Sequence, residues 1–225
     1  MTKKIKDQEE VVVAEAVSKT EKFFEVHGKK VIIALVALLI VFAGGYAYKY
    51  FVLDKNNAAT NELIIKAQER FGAEDADYEL ALNGDENGAG FLEIIEQYGS
   101  TEAGNLACHY AGICYLRLGD FENAEKYLKK YDAVGGSVVA EIIDAQNIGL
   151  QGDIAVEKGD YEEAAKLFGK AVKTSENEYT TPHYLYKQAL ALKAAGKIEE
   201  AKACCQTLIE KYPNAMEKNA AEKLL

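Results

Sequence analysis

The chain contains 225 residues, of which 49% are hydrophobic and only two are proline. This hydrophobic content excludes an intrinsically disordered chain, and the scarcity of proline favours long helices. Residues 1–53 carry eight lysines and six acids, a net charge of +2, whereas residues 54–225 carry 18 basic and 30 acidic residues, a net charge of −12. Binding to nucleic acid needs an excess of lysine and arginine, so the acidic part excludes a nucleic-acid partner.

The first predicted element is a cytoplasmic leader over residues 1–28. Val12, Ala16, Phe23 and Phe24 lie there among charged residues. Apolar residues in such a setting predict a short amphipathic helix that lies on the inner face of a membrane. A solvated leader without that helix is the alternative.

A membrane-spanning helix is predicted over residues 29–53. Val31–Tyr48 contains no charged residue, and as a helix it is about 27 Å long, against a hydrocarbon core of about 30 Å. Aromatic residues crowd its C-terminal end over Tyr46–Phe51, as they do at membrane interfaces. A buried core helix is the alternative, but no other segment is apolar enough to surround it. We therefore expect Val31–Leu53 to contact the membrane.

The flanking lysines predict the orientation of this helix. Four of them closely precede it, namely Lys19, Lys22, Lys29 and Lys30, whereas Lys49 and Lys55 lie at its other end. The bias favours a cytoplasmic N-terminus in a single-pass protein of the inner (plasma) membrane, with the C-terminal part in the periplasm. Small residues at Gly45 and Ala47 would permit cleavage of a signal peptide, but the long acidic region before the helix favours an uncleaved anchor.

Three segments further along the chain repeat one pattern. They begin at Gly119, Gly159 and Gly196, at spacings of 40 and 37 residues, and each reads Gly, polar, large apolar, Glu, Asn or Glu, Ala. A helical stretch lies on both sides of each glycine. Glycine can end the first helix in the left-handed conformation, and the acids that follow favour the start of the second. The pattern therefore predicts three helical hairpins.

Other positions of the repeat predict how the two helices of a hairpin touch. Small residues occur seven positions before each glycine, at Gly112, Gly152 and Ala189, and five positions after it, at Ala124, Ala164 and Ala201. Larger apolar residues follow nine positions after it, at Leu128, Phe168 and Cys205. Small residues let two helices approach closely, and the larger ones fill the groove beside them.

These residues resemble the tetratricopeptide repeat family. The resemblance implies a helical solenoid, whose three repeats occupy residues 101–213. Together with the helix predicted from the apolar run, the fold class is all-α, with a single N-terminal transmembrane helix followed by a tetratricopeptide-repeat helical solenoid. Phe91–Tyr98 and Asn61–Phe71 resemble the two helices of a degenerate earlier repeat within a helical region at residues 54–100. Residues 214–225 are expected to form a capping helix that begins at Asn214 and covers the last apolar face.

The order of leader, apolar helix and repeats, together with the phrase Phe91–Asp120, also resembles the YfgM-like ancillary subunits of the bacterial Sec translocon. This narrower resemblance implies a membrane-anchored protein–protein interaction scaffold that assists protein translocation or folding at the outer side of the inner membrane. Its implied partners are the translocon or periplasmic chaperones. The alternative is an envelope or cell-division assembly scaffold that binds cell-wall machinery.

The family resemblance also implies where proteins or peptides would bind. The usual groove is the concave face formed by the first helix of each repeat, here Leu106, His109, Ile113, Arg117, Asp153, Glu157, His183, Tyr186, Leu190 and Lys193. The alternative is that these residues only cover neighbouring helices. Chaperone-binding repeats clamp a carboxylate with Lys and Asn at the positions of His109 and Ile113, so that clamp is not expected here.

We expect no enzymatic activity, no metal and no cofactor. The four cysteines form no CxxC motif and the three histidines are far apart in sequence, which excludes the short ligand spacings of a zinc site. The cysteines, Cys108, Cys114, Cys204 and Cys205, are predicted to be buried or half-buried free thiols, with a disulfide as the alternative. Cys108 and His109 are neighbours that would face different directions on a helix, so they do not form a nucleophile–base pair.

Asn83–Gly88 imitates the first half of a calcium-binding loop. The twelfth position of such a loop must be a bidentate acid, whereas this chain has Ile94 there. A surface turn rich in asparagine and glycine is therefore the predicted structure of this segment.

Overall fold

The computed structural model describes residues 27–49 and 54–225. The predicted leader, apart from His27 and Gly28, lies outside these residues, as do the last four residues of the predicted membrane helix. The chain divides into two units between Lys55 and Asn56. In the first unit, helix α1 (His27–Tyr48) is long and apolar enough to cross a membrane, and none of its most apolar window is buried.

From Asp54 onwards the chain is mostly helical, which confirms the predicted all-helical class. In chain order these are α2 (Asp54–Phe71), α3 (Tyr78–Asn83), α4 (Phe91–Tyr98), α5 (Glu102–Arg117), α6 (Phe121–Lys130), α7 (Val138–Glu157), α8 (Tyr161–Thr174), α9 (Thr180–Ala194), α10 (Ile198–Lys211) and α11 (Lys218–Glu222). Two short antiparallel strands, β1 (Gly84–Asp85) and β2 (Gly88–Ala89), lie between α3 and α4.

Three helical hairpins, α5–α6, α7–α8 and α9–α10, share one turn. Its glycine is Gly119, Gly159 or Gly196, with φ of 79°, 75° and 79° respectively, which confirms the predicted left-handed conformation. The residue after each glycine donates its N–H to the carbonyl oxygen five residues earlier, at 2.9, 2.9 and 2.8 Å. This hydrogen bond defines a Schellman motif, which ends the first helix and turns the chain back.

The second helix of a hairpin starts differently in the third repeat. The carboxylates of Asp120 and Asp160 accept hydrogen bonds from the N–H groups of Asn123 and Glu163, so they cap α6 and α8. The equivalent residue of the third repeat is Lys197, and α10 has no side-chain cap. A lysine has no acceptor atom, so the first turn of α10 lacks this source of stability.

The two helices of each hairpin touch where the sequence predicts a small residue. A Cβ atom added to Gly112 would lie 2.5 Å from Cγ of Leu128, and one added to Gly152 would lie 2.7 Å from Cε1 of Phe168. Neither distance leaves room for a methyl group. The third hairpin has alanine at this position and the smaller Cys205 in place of leucine or phenylalanine, and Cys205 is fully buried.

The apolar core has two large parts and one small part. Phe91 is central to the first part, in α2–α5, where its ring stacks on Tyr110 at 5.3 Å. Phe168 is central to the second, in α7–α11, where it stacks on Tyr184 at 6.4 Å. A small cluster of Ala124, Leu128 and Ile154 joins α6 to α7. Packing between the first and second hairpins therefore relies less on apolar contact than packing between the second and third hairpins does.

A buried histidine lies at this junction between the first and second hairpins. His109 of α5 is 2% exposed, and its Nδ1 lies 3.2 Å from Nδ2 of Asn147 on α7. The Oδ1 atom of Asn147 in turn accepts a hydrogen bond from Gln151 at 2.9 Å. Burial lowers the pKa of His109 from 6.5 to about 4, because the charged imidazole would lose its hydration. The junction is therefore built around a neutral histidine.

A buried carboxylate fixes the loop that links the same two hairpins. Asp144 of α7 is 3% exposed, and it accepts hydrogen bonds from the hydroxyl of Tyr131 at 2.7 Å and from the N–H groups of Val134 and Gly135 at 3.1 and 2.9 Å. A buried carboxylate is tolerated when its lone pairs are satisfied in this way. Asp144 thus holds residues 131–137 against α7.

Of two further predicted segments, one is confirmed and one differs. Glu86 and Asn87 form the predicted surface turn, which joins β1 to β2, and Asp85 binds the guanidinium of Arg70 at 2.5 Å. The terminal helix begins at Lys218 instead of Asn214, has no side-chain cap and buries Ala221. The predicted cap at Asn214 is wrong because the chain first makes a turn, in which Ala215 N–H donates to Tyr212 O.

The close approach at Gly152 generates the first testable expectation. Gly152→Ala forces the new methyl group against the ring of Phe168, so we expect a loss of about 1–3 kcal/mol in the free energy of unfolding, as for other overpacked cores. Denaturant unfolding of the full-length chain measures this loss.

Gly169→Ala is the matched control, since Gly169 also lies within a helix and its added Cβ would meet only the flexible side chain of Gln188. This change should be neutral or stabilise the chain by up to about 1 kcal/mol through helix propensity. Equal losses for the two alanines would contradict the proposed steric cause.

The neutral His109 generates the second expectation. Its folded-state pKa of about 4 lies below its ordinary value of 6.5, so the unfolded chain takes up the proton first as the pH falls. The stability that depends on neutral His109 is present above pH 6.5 and is lost towards pH 4. Between these limits the wild type should lose about 3 kcal/mol more than His109→Gln, as measured by unfolding across that range. If the free energies of unfolding of the wild type and of His109→Gln changed equally between pH 6.5 and pH 4, the assignment of this loss to His109 would be wrong.

Candidate functional site

The structure buries most of the predicted groove residues of the first repeat. His109 and Ile113 are 2% and 8% exposed, and Leu106 is half-buried against the first part of the core. Arg117, in the last turn of α5, is exposed. The prediction that His109 and Ile113 offer a contact surface is therefore corrected, because both side chains are buried.

The predicted residues of the second and third repeats converge in part. Asp153 and Leu190 line a cleft of about 270 Å³ between α7, α8 and α9. We call it the α7–α9 cleft, and its lining residues are Asp153, Val156, Tyr161, Phe168, Lys187, Leu190, Ala191 and Ala194. The other predicted residues of these repeats, Glu157, His183, Tyr186 and Lys193, do not line it.

The lining residues of the α7–α9 cleft come together because of their positions in the three helices and the turn between α7 and α8. Leu190 and Ala194 are four residues apart near the end of α9, so they lie on one face of that helix. Val156 comes from the last turn of α7, and Tyr161 is the first residue of α8. The Gly159 turn between α7 and α8 therefore sets how the second repeat contributes to the cleft.

An ion pair closes one side of the cleft. The Nζ atom of Lys187 lies 2.9 and 2.8 Å from the two carboxylate oxygens of Asp153, and it also lies 5.7 Å from the ring centroid of Phe168. The side chains of the pair are each about 30% exposed. Both charges are satisfied within the protein, so the cleft presents mainly apolar surface to a ligand.

Tyr184 supports the cleft from behind. It is 6% exposed and approaches α7 so closely that a Cβ atom on Gly149 would lie 2.2 Å from its ring. Burial, with a smaller effect from the charge of Asp153, raises the pKa of Tyr184 to about 12. The ring therefore stays neutral at physiological pH and keeps Phe168 in place by stacking.

Sequence reasoning missed Lys187, the cation of the ion pair. It lies on α9, and its partner Asp153 lies on α7, 34 residues earlier in the chain. Both residues occupy first helices of neighbouring repeats, so the pair is visible only once the register between repeats is known. A lysine close to Leu190, with an acid one repeat earlier, was the available signal.

The described cysteines are free thiols, with Cys108, Cys114 and Cys205 buried and Cys204 half-buried. Burial raises the pKa of Cys114 to about 12 and that of Cys204 to about 11. Thiols with such pKa values carry little thiolate at neutral pH and are weak nucleophiles. Within residues 27–49 and 54–225, no three His, Cys, Asp or Glu side chains form a group that could hold a metal ion.

Comparison with known proteins identifies the helical hairpins. Family models of the tetratricopeptide repeat match residues 107–132, 145–178 and 184–215, which correspond to α5–α6, α7–α8 and α9–α10. No curated protein matches the chain. Repeats of this kind are generally non-enzymatic scaffolds that bind proteins or peptides. The chain therefore contains tetratricopeptide repeats, and these make it a protein–protein interaction scaffold.

Proposed function

We propose that the chain is a membrane-anchored scaffold that assists protein translocation or folding at the outer side of the inner membrane. In this proposal α1 is an uncleaved anchor, the leader lies in the cytoplasm, and the repeats hold partner proteins in the periplasm. The translocon and periplasmic chaperones are the proposed partners, as the resemblance to YfgM-like subunits implies.

The apolar character of α1 supports the anchor. The helix has 22 residues, and its most apolar 18-residue window has a mean hydropathy of 2.5. Side chains such as Ile40, Val41 and Phe42 are 67–73% exposed along it. Such a helix is stable when lipid covers its side chains, and the lysines before it favour a cytoplasmic N-terminus.

The α7–α9 cleft is the observation that carries the scaffold proposal. It lies between the first helices of two neighbouring repeats, and two residues of the proposed groove, Asp153 and Leu190, line it. Leu190 is 41% exposed, so a partner that covers it would bury apolar surface. The proposed contact surface also includes Arg117, Glu157, His183, Tyr186 and Lys193.

Membrane topology provides one test. Alkaline phosphatase fused after Leu225 should be active, and green fluorescent protein at the same site should be dark, because the C-terminus is exported. Tags at both ends should remain on one polypeptide that resists carbonate extraction. A fluorescent C-terminal fusion, or loss of the N-terminal tag by cleavage, would contradict the proposed anchor.

Crosslinking in cells tests the partner. A photo-crosslinking amino acid at Leu190 should give adducts with translocon subunits or chaperones, because this position opens into the cleft. The same amino acid at Ala203, an exposed position on α10 that does not line the cleft, is the control. Adducts only with cell-wall enzymes would support the envelope-assembly alternative, and equal adducts from both positions would contradict binding in the groove.

A further inference from the structure

We propose that the α7–α9 cleft binds one large apolar side chain of a partner segment whose flanking residues are basic. This inference rests on the proposed scaffold function and gives the ligand of its groove a defined chemistry. Three observations carry it, namely the size of the cleft, the state of its ion pair and the charge of the segments around it.

The size of the cleft fits a side chain. Its volume of about 270 Å³ falls below the roughly 300–1,000 Å³ that is typical of pockets for small molecules and cofactors. The side chain of a leucine, methionine or phenylalanine has a smaller volume than a typical small-molecule ligand, and it can enter the cleft through a single opening. The cleft therefore suits an anchoring residue of a peptide more than a free metabolite.

The lining of the cleft favours an apolar anchor. Six of its eight lining residues are Val, Tyr, Phe, Leu or Ala, and Leu190 and Tyr161 remain 41% and 38% exposed. An apolar side chain that covers these surfaces removes them from water, which favours binding. A groove between helices does not by itself indicate which kind of side chain binds there. The exposed surfaces of Leu190 and Tyr161 indicate an apolar one.

The ion pair argues against an acidic anchor. Both carboxylate oxygens of Asp153 lie within 2.9 Å of Lys187 Nζ, so neither group has a vacant charge for the ligand. A carboxylate that reached Lys187 would have to displace Asp153 and leave that acid partly buried without its partner, which is costly. The cleft therefore does not act as a carboxylate clamp.

The surrounding charge favours a basic segment beside the anchor. The segments that line the cleft in α7, α8 and α9, residues 153–168 and 187–194, contain five acids and four lysines, a net charge of −1. Glu157, next to the lining residue Val156, is exposed. The whole of residues 54–225 carries −12. Lysine and arginine on either side of the apolar anchor complement this charge and speed the encounter.

Peptides of defined composition test this chemistry. The probe is an acetylated and amidated heptapeptide, Lys-Arg-Ser-Leu-Ser-Arg-Lys, titrated calorimetrically into the full-length chain in neutral detergent. One comparison peptide replaces the central Leu by Ser, and a second replaces the four basic residues by Glu. Each change should weaken binding about tenfold or more. Added salt should weaken the binding of the two basic peptides and should not weaken that of the acidic one.

Two variants locate the binding. Ala194→Leu fills the cleft from an exposed position at the end of α9 and should weaken the binding of the leucine peptide about tenfold. Ala203→Leu, at a position that is also exposed but does not line the cleft, should not. Circular dichroism of both variants checks that the helices are intact.

Equal binding of the leucine and serine peptides, a preference for the acidic flanks, or no effect of Ala194→Leu would overturn the inference. Failure of all three peptides to bind at about 1 mM would also overturn it, because two favourable contributions should reach that affinity. Crosslinks from Leu190 in cells would still support the scaffold in that case, so the two proposals fail separately.

Discussion

The repeat unit of this protein depends on the close approach of two antiparallel helices at one point. In the first two hairpins a glycine, Gly112 or Gly152, faces the side chain of Leu128 or Phe168 with no room for a methyl group. The third hairpin combines a larger residue on one helix, Ala189, with a smaller one on the other, Cys205. In each hairpin the combined volume of the two facing side chains therefore fits the space between the two helices.

The groove follows from this contact. Because Phe168 lies against Gly152, its ring reaches past α7 to stack on Tyr184 and to form part of the α7–α9 cleft. Lys187 then pairs with Asp153 across two first helices and lies over the same ring. The junction between the first two hairpins differs, since it is built on the polar contacts of His109 and Asp144. The α7–α9 cleft therefore lies between the second and third repeats.

The local features of the fold were predictable because each is encoded within a few residues. Gly119, Gly159 and Gly196 mark the turns, and periodic small and large residues mark the helix contact. Features that join distant residues were not predictable. The burial of His109, the pairing of Lys187 with Asp153 and the binding of Asp85 by Arg70 all depend on how neighbouring elements are aligned. For that reason the hairpins were predicted well and the groove residues of the first repeat were not.

A double-mutant cycle between Gly152 and Phe168 tests the central contact most directly. The free energies of unfolding of the wild type, Gly152→Ala, Phe168→Leu and the double variant give the coupling between the two positions. If the methyl group and the ring compete for one space, Phe168→Leu should relieve part of the cost of Gly152→Ala, with a coupling of about 1 kcal/mol or more. Additive losses would show that the two side chains do not meet and would contradict this account of the repeat.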